Sequence, residues 1–242
     1  MLRRIMLTIL LAGGLAGGVA FGLQSWKVVP LILEAEGYEE SSAGHGHPGI
    51  AHTHAVHDEA FLQRAAATAA PEEWAPGNGL QRAGYTLLAD LLAGIGFAAL
   101  LVGAIALSGR DTGLREGLFW GMAGFAVFTV APGLGLPPEL PGMMAADLTA
   151  RQIWWGGTAV ATAAGIALAV FPQRPWLKAS GVILVLLPQI IGAPQGPVSS
   201  AVPPELMARF AAASFVTAGV FWGVLGSLAG VFYRRFGGPT EA

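Results

Sequence analysis

The sequence predicts an all-α fold, a polytopic membrane bundle of about six transmembrane helices built as three repeated helical hairpins. Hydrophobic residues make up 54% of the 242 residues and charged residues 12%, about half the charged share of an ordinary soluble domain. The apolar residues fall in unbroken runs of about twenty, the length at which an α-helix spans a hydrocarbon core of about 30 Å. An arginine recurs at the start of every second run, twice behind the tetrapeptide PPEL. Residues 1–242 therefore read as a single integral membrane domain.

The first run, roughly 5–25, follows Arg3 and Arg4. Small residues near Gly18 and Ala20 also allow a cleaved signal peptide, but the run continues to Leu23 and Trp26, which favours a retained helix. An outer loop then extends to residue 83, and within it residues 34–79 form a His- and acid-rich segment. Further runs cover 84–108, 117–136, 152–171, 177–194 and 209–233. The fifth is short and contains Pro188, which predicts a broken or re-entrant helix. Gly13, Gly14, Gly17 and Gly18 in the first run, and Gly219, Gly223, Gly226 and Gly230 in the last, are spaced to let helix backbones approach closely, as helices do in lipid.

Orientation follows from the Lys and Arg flanking the runs. Arg3, Arg4, Arg110, Arg115, Arg174, Lys178, Arg234 and Arg235, eight of the thirteen, lie in two tails and two short loops on one side. That side is cytoplasmic and holds both termini. Lys27, Arg64, Arg82, Arg151 and Arg209 are spread over longer loops on the other, outer side, which also carries most of the carboxylates. Arg82, Arg151 and Arg209 mark the outer starts of the second, fourth and sixth runs, and PPEL at 137–140 and 203–206 precedes the latter two. Successive hairpins of one orientation form a parallel repeat.

All five histidines, His45, His47, His52, His54 and His57, lie in the outer segment "GHGHPGIAHTHAVHDE". Near neutral pH imidazole is mostly unprotonated, a donor suited to Co, Ni, Cu and Zn. Asp58 and Glu59 add oxygen, while the glycines and Pro48 argue for a collecting tether rather than a rigid cage. Asp90 is the one carboxylate inside a run. A charge at that depth costs roughly 2.5–3.5 kcal/mol on insertion scales, so it marks a functional candidate facing a partner or a watered cavity. A helix-interface aspartate partnered by a repeat arginine is the alternative. Glu139, Asp147 and Glu205, in the outer loops, can ring the mouth of a path, with the thioethers of Met143 and Met144 beside them.

Several chemistries are excluded. The chain has no cysteine, hence no thiolate site and no disulfide framework. Its two lysines, Lys27 and Lys178, follow no glycine-rich phosphate loop, so ATP hydrolysis by that route is absent. No hydrolase elbow, zinc-protease motif or nucleic-acid patch occurs, so neither an enzyme nor a resident cofactor is expected.

The stretches "WKVVPLILEAEGYE", "GLPPELPGMMAADLTARQIWW", "LPQIIGAP" and "VPPELMARFAAAS", with the Arg-Arg opening and the His-rich segment, resemble the CbtA family, the predicted cobalt transporter subunit of bacteria. The resemblance covers nearly the whole chain. It implies an inner-membrane protein associated with cobalamin metabolism and accompanied by CbtB, a small single-span partner. Family members usually have five spans where six are counted here. Gln189 stands where a histidine often precedes the Ile-Gly-Ala-Pro stretch, which weakens an essential ligand role there. Uptake of Co²⁺, with Ni²⁺ or Zn²⁺ as alternatives, is therefore expected, with the outer loop periplasmic. The other reading is a membrane-anchored protein that binds or delivers metal without translocating it.

Overall fold

A computed structural model describes residues 2–44, 76–77, 79–196 and 202–237. Six helical elements follow one another, with no strand among the described residues. The first, α1, is continuous from Leu2–Leu23 through a π-helical stretch Gln24–Val28 into Val29–Gly44. Next come α2 (Leu80–Ser108) and α3, itself built from Leu114–Phe125, a π-helical stretch Ala126–Val130 and Ala131–Gly135. The remaining three are α4 (Leu148–Val170), α5 (Pro175–Ile191) and α6 (Pro204–Arg235). Five are long and apolar enough to cross a membrane, and α5 is a shorter apolar helix. At 17 residues, α5 reaches about 25 Å.

Two of the sequence boundaries move. Residues 26–44, read as the start of the outer loop, belong to α1, because hydropathy ends at the headgroups while helix propensity does not: Leu, Ala and Glu are all strong helix formers. The extension is also packed. Val28, Leu31 and Ala35 share a buried cluster with Leu140, Val202, Leu206 and Phe210, so the leucines of both PPEL copies seat against the same helix face. Pro188, expected to break the fifth helix, lies inside α5 without ending it.

An ion pair between Arg82 and Glu36 ties the α1 extension to the start of α2. Both side chains remain about a third exposed, and such pairs contribute at most about 1 kcal/mol. Glu36→Gln is therefore expected to lower stability by no more than that in a thermal melt in detergent.

Packing follows glycine more than chain order. α1 lies on α2 and α6, α3 on α6, and α4 on α5; the α3–α6 and α4–α5 pairs thus depart from three consecutive hairpins. A Cβ placed on Gly13 would lie 2.6 Å from the Ile95 Cα, one on Gly181 2.9 Å from the Ala169 N, and one on Gly117 2.9 Å from the Gly230 Cα. Each pair is joined where backbone meets backbone, the contact that small residues permit in lipid. The main core, including Ile9, Ala16, Val102, Ile105, Trp222 and Leu225, draws on α1, α2 and α6, so α1 is an integral part of it.

The first turn of α1 and the last turn of α6 meet at one end of the bundle. Arg4 Nε donates to the Tyr233 carbonyl at 2.7 Å, and its guanidinium sits 3.7 Å over the Tyr233 ring. Arg110 lies over the Phe171 ring at this same end. Arg82 and Arg151 occupy the opposite end, so the two arginine-bearing sides read from the sequence correspond to the two ends of the bundle.

Both π-helical stretches have a visible cause. Each ends two residues before a proline, Pro30 in one and Pro132 in the other. A proline lacks an N–H and its ring crowds the preceding turn; the widened turn accommodates it. The Val29 N–H instead bonds the Gln24 carbonyl and the Ala131 N–H the Ala126 carbonyl, each five residues back.

Candidate functional site

Asp90 lies ten residues into α2, about 15 Å along the helix from Leu80. Glycine brings it to α1: a Cβ on Gly17 would lie 2.9 Å from the Leu91 Cα and closer still to the Asp90 carbonyl. With the two backbones pressed together, Gln24 reaches across, and its Nε2 donates to Asp90 Oδ1 at 2.8 Å. Asp90 Oδ2 is buried and has no hydrogen-bond partner. A buried acceptor left unpaired costs about 1–3 kcal/mol, more if charged, and calls for a ligand, a water or a proton.

Beside this pair lies a cavity of about 300 Å³. Its polar wall comes from four helices: Gln24 of α1, Asp90 of α2, Thr129 of α3, and Ser214 and Thr217 of α6. Both π-helical stretches contribute, through Gln24 and Val28 and through Phe128 and Thr129. Widened helical turns of this kind concentrate at functional sites because they turn side chains and carbonyls out of the regular ladder.

Toward the arginine-rich end with the termini, the cavity is floored by rings. Phe97 sits 5.0 Å from Trp222 and 5.3 Å from Phe128 by ring centroids, and Phe128 stacks on Trp222 at 5.6 Å and 4°. Toward the other end, Phe128 and Thr129 also line a second hollow of about 430 Å³, whose rim holds Glu139, Arg151 and Gln152. The two hollows therefore share Phe128 and Thr129 as a common wall.

Of the candidates read from the sequence, Asp90 is the one lining a membrane-level cavity. Glu139 is in the outer hollow but paired with Arg151 at 2.6 Å. Asp147 caps α4, accepting from the Ala150 N–H at 2.8 Å, and Glu205 is an exposed residue in the first turn of α6. No three His, Asp or Glu side chains converge among the described residues. His45, His47, His52, His54 and His57 lie outside the described residues. Gln189 serves structure, its Nε2 donating to the Ala131 carbonyl at 2.8 Å and tying α5 to α3.

Gln24, Thr129, Ser214 and Thr217 carry no charge, so they do not stand out within the apolar runs as Asp90 does. The signal was available: a glutamine inside an apolar run, six residues before a proline.

A family model described as "probable cobalt transporter subunit (CbtA)" matches residues 2–234, nearly the whole chain. The chain belongs to the CbtA family. No curated protein and no solved structure matches it. CbtA is by its description a family of probable transporter subunits, in keeping with five helices long and apolar enough to cross a membrane. This chain is a multi-pass membrane protein.

Proposed function

We propose that this CbtA chain imports Co²⁺ across the bacterial inner membrane, with the Asp90 cavity as the station where the ion rests within the bilayer. The observation that carries the reading is a carboxylate with one unpartnered buried oxygen, set in a polar-walled cavity inside a cobalt-transporter family chain. The arginine-rich end with both termini faces the cytoplasm under the positive-inside rule, so the histidine segment 45–57 collects metal in the periplasm. Ions pass from the Glu139 hollow, across Thr129, to Asp90, and the Phe97, Phe128 and Trp222 rings close the inner side.

The chain carries no ATP-binding loop, and none is needed. A divalent ion moving inward across about 100 mV gains roughly 4.6 kcal/mol, enough for accumulation on the order of a thousandfold. The description "subunit" supports a partner chain, for which a small single-span CbtB-like protein is the proposal.

Deleting residues 45–57 tests the reading. Co²⁺ influx into proteoliposomes is expected to need a higher metal concentration for half saturation while keeping its maximal rate. No influx through the unaltered chain, with metal binding that is lost on the deletion, would instead mark the protein as a binder that delivers metal without moving it.

A further inference from the structure

We infer that the Asp90 cavity takes its divalent cation as an aqua ion with the water shell intact, held through those waters by one carboxylate and a ring of neutral oxygens. This rests on the reading of the cavity as a cation station and adds the chemical form of the cargo. Three observations lead to it. The donor set is oxygen only: the Asp90 carboxylate, the Gln24 amide, and the hydroxyls of Thr129, Ser214 and Thr217. Among the described residues no three His, Asp or Glu side chains come together, whereas stripping a first-row dication requires several strong donors drawn in to about 2.0–2.2 Å. The space is also far too large for a bare ion and has room for a hydrated one, since a water needs about 10–15 Å³ of such volume and about 300 Å³ is present.

The polar groups suit water as the direct contact. Gln24 Nε2 is already committed to Asp90 Oδ1, which leaves Gln24 Oε1 to accept from a coordinated water, whose protons an adjacent dication makes strong donors. Asp90 Oδ2 is buried and unpartnered, and turning the carboxylate toward the cavity that Asp90 lines lets it accept in the same way. These donors stand on four separate helices around the cavity. Discrimination among Co²⁺, Ni²⁺ and Zn²⁺ by ligand strength is then absent at this station, because outer-sphere contact does not follow the order of inner-sphere affinities.

Hexaamminecobalt(III), whose ammine ligands exchange too slowly to be replaced by imidazole or carboxylate, separates the cases. It presents a hydrated-ion-sized octahedron of N–H donors. Added to proteoliposomes of the full chain, it is expected to inhibit Co²⁺ influx at concentrations within about tenfold of the Co²⁺ half-saturating value. A Ser214→Ala, Thr217→Val double variant is expected to weaken that inhibition about tenfold. No inhibition at hundredfold excess, with flux still lost in Asp90→Asn, would overturn the aqua-ion inference and leave the transport path standing. Inhibition undiminished in the double variant would also overturn it, placing the block at the acidic outer face. Full flux in Asp90→Asn would remove the station itself and this inference with it.

Discussion

Asp90→Asn is expected to reduce Co²⁺ influx at least tenfold while making the protein harder to unfold. The two effects have opposite signs for one reason. Asparagine keeps the shape of the side chain and an oxygen to accept from Gln24 Nε2, now 2.8 Å from Asp90 Oδ1, so the α1–α2 contact survives. What disappears is a negative charge within the membrane, whose insertion costs roughly 2.5–3.5 kcal/mol. For a dication the same change is a loss: at an effective dielectric of about 20, unit charges about 4 Å apart attract by about 4 kcal/mol, and a double charge by more. Influx into proteoliposomes and a thermal melt of the same preparation in detergent read the two consequences. A variant that loses flux because it misfolds would melt lower; one that has lost its ion site melts higher. Unchanged flux would mean that Asp90 is an interface residue, the alternative its sequence position left open.

The membrane elements were legible because burial in lipid writes itself as long apolar runs, and all six correspond to helices. Their pairing was not legible. Which of the many glycines meets a neighbour depends on helix rotation, and the sequence shows only spacing: Gly13 and Gly17 press on α2, while Gly14 and Gly18, one residue further on, have open space beside them. The site was half legible. Asp90 stands out because a carboxylate in an apolar run is costly, whereas Thr129, Ser214 and Thr217 cost little there and raise no signal by themselves. Pro30 and Pro132 did hold a signal, since each follows a turn that widens to accommodate it, as the turn before Pro188 does not; those turns deliver Gln24 and Thr129 to the cavity. The doubled PPEL suggested repeated hairpins. Its two copies in fact take different backbones, a loop at 137–140 and a helix start at 204–206, and what they share is a leucine buried against the α1 extension.

Gly226→Ala is expected to destabilise the protein by about 1–3 kcal/mol, the range for forcing a methyl group into a full interior, and to lower Co²⁺ flux as well. A Cβ at this position would lie 2.6 Å from both the Cα and the N of Gly121 and nearer still to the Gly117 carbonyl. Those are backbone atoms of α3, which can give way only if the helix moves. Gly18→Ala is the matched comparison. Apart from its chain neighbours and its own helix backbone, no heavy atom lies within 4 Å of its Cβ position, and alanine is favoured over glycine in a helix by up to about 1 kcal/mol. Thermal melts in detergent should therefore separate the two substitutions in sign. The functional consequence follows from what α3 carries. Phe128 and Thr129 lie on its π-helical stretch, opposite Ser214, Thr217 and Trp222 of α6 across the cavity. A methyl group that pushes α3 off α6 spreads the hydroxyls from the ion and unstacks Phe128 from Trp222, now 5.6 Å apart. If Gly226→Ala melted like the unaltered protein, backbone contact between these helices could not be what sets the width of the cavity, and the geometry of the ion station would have to rest on side-chain packing instead.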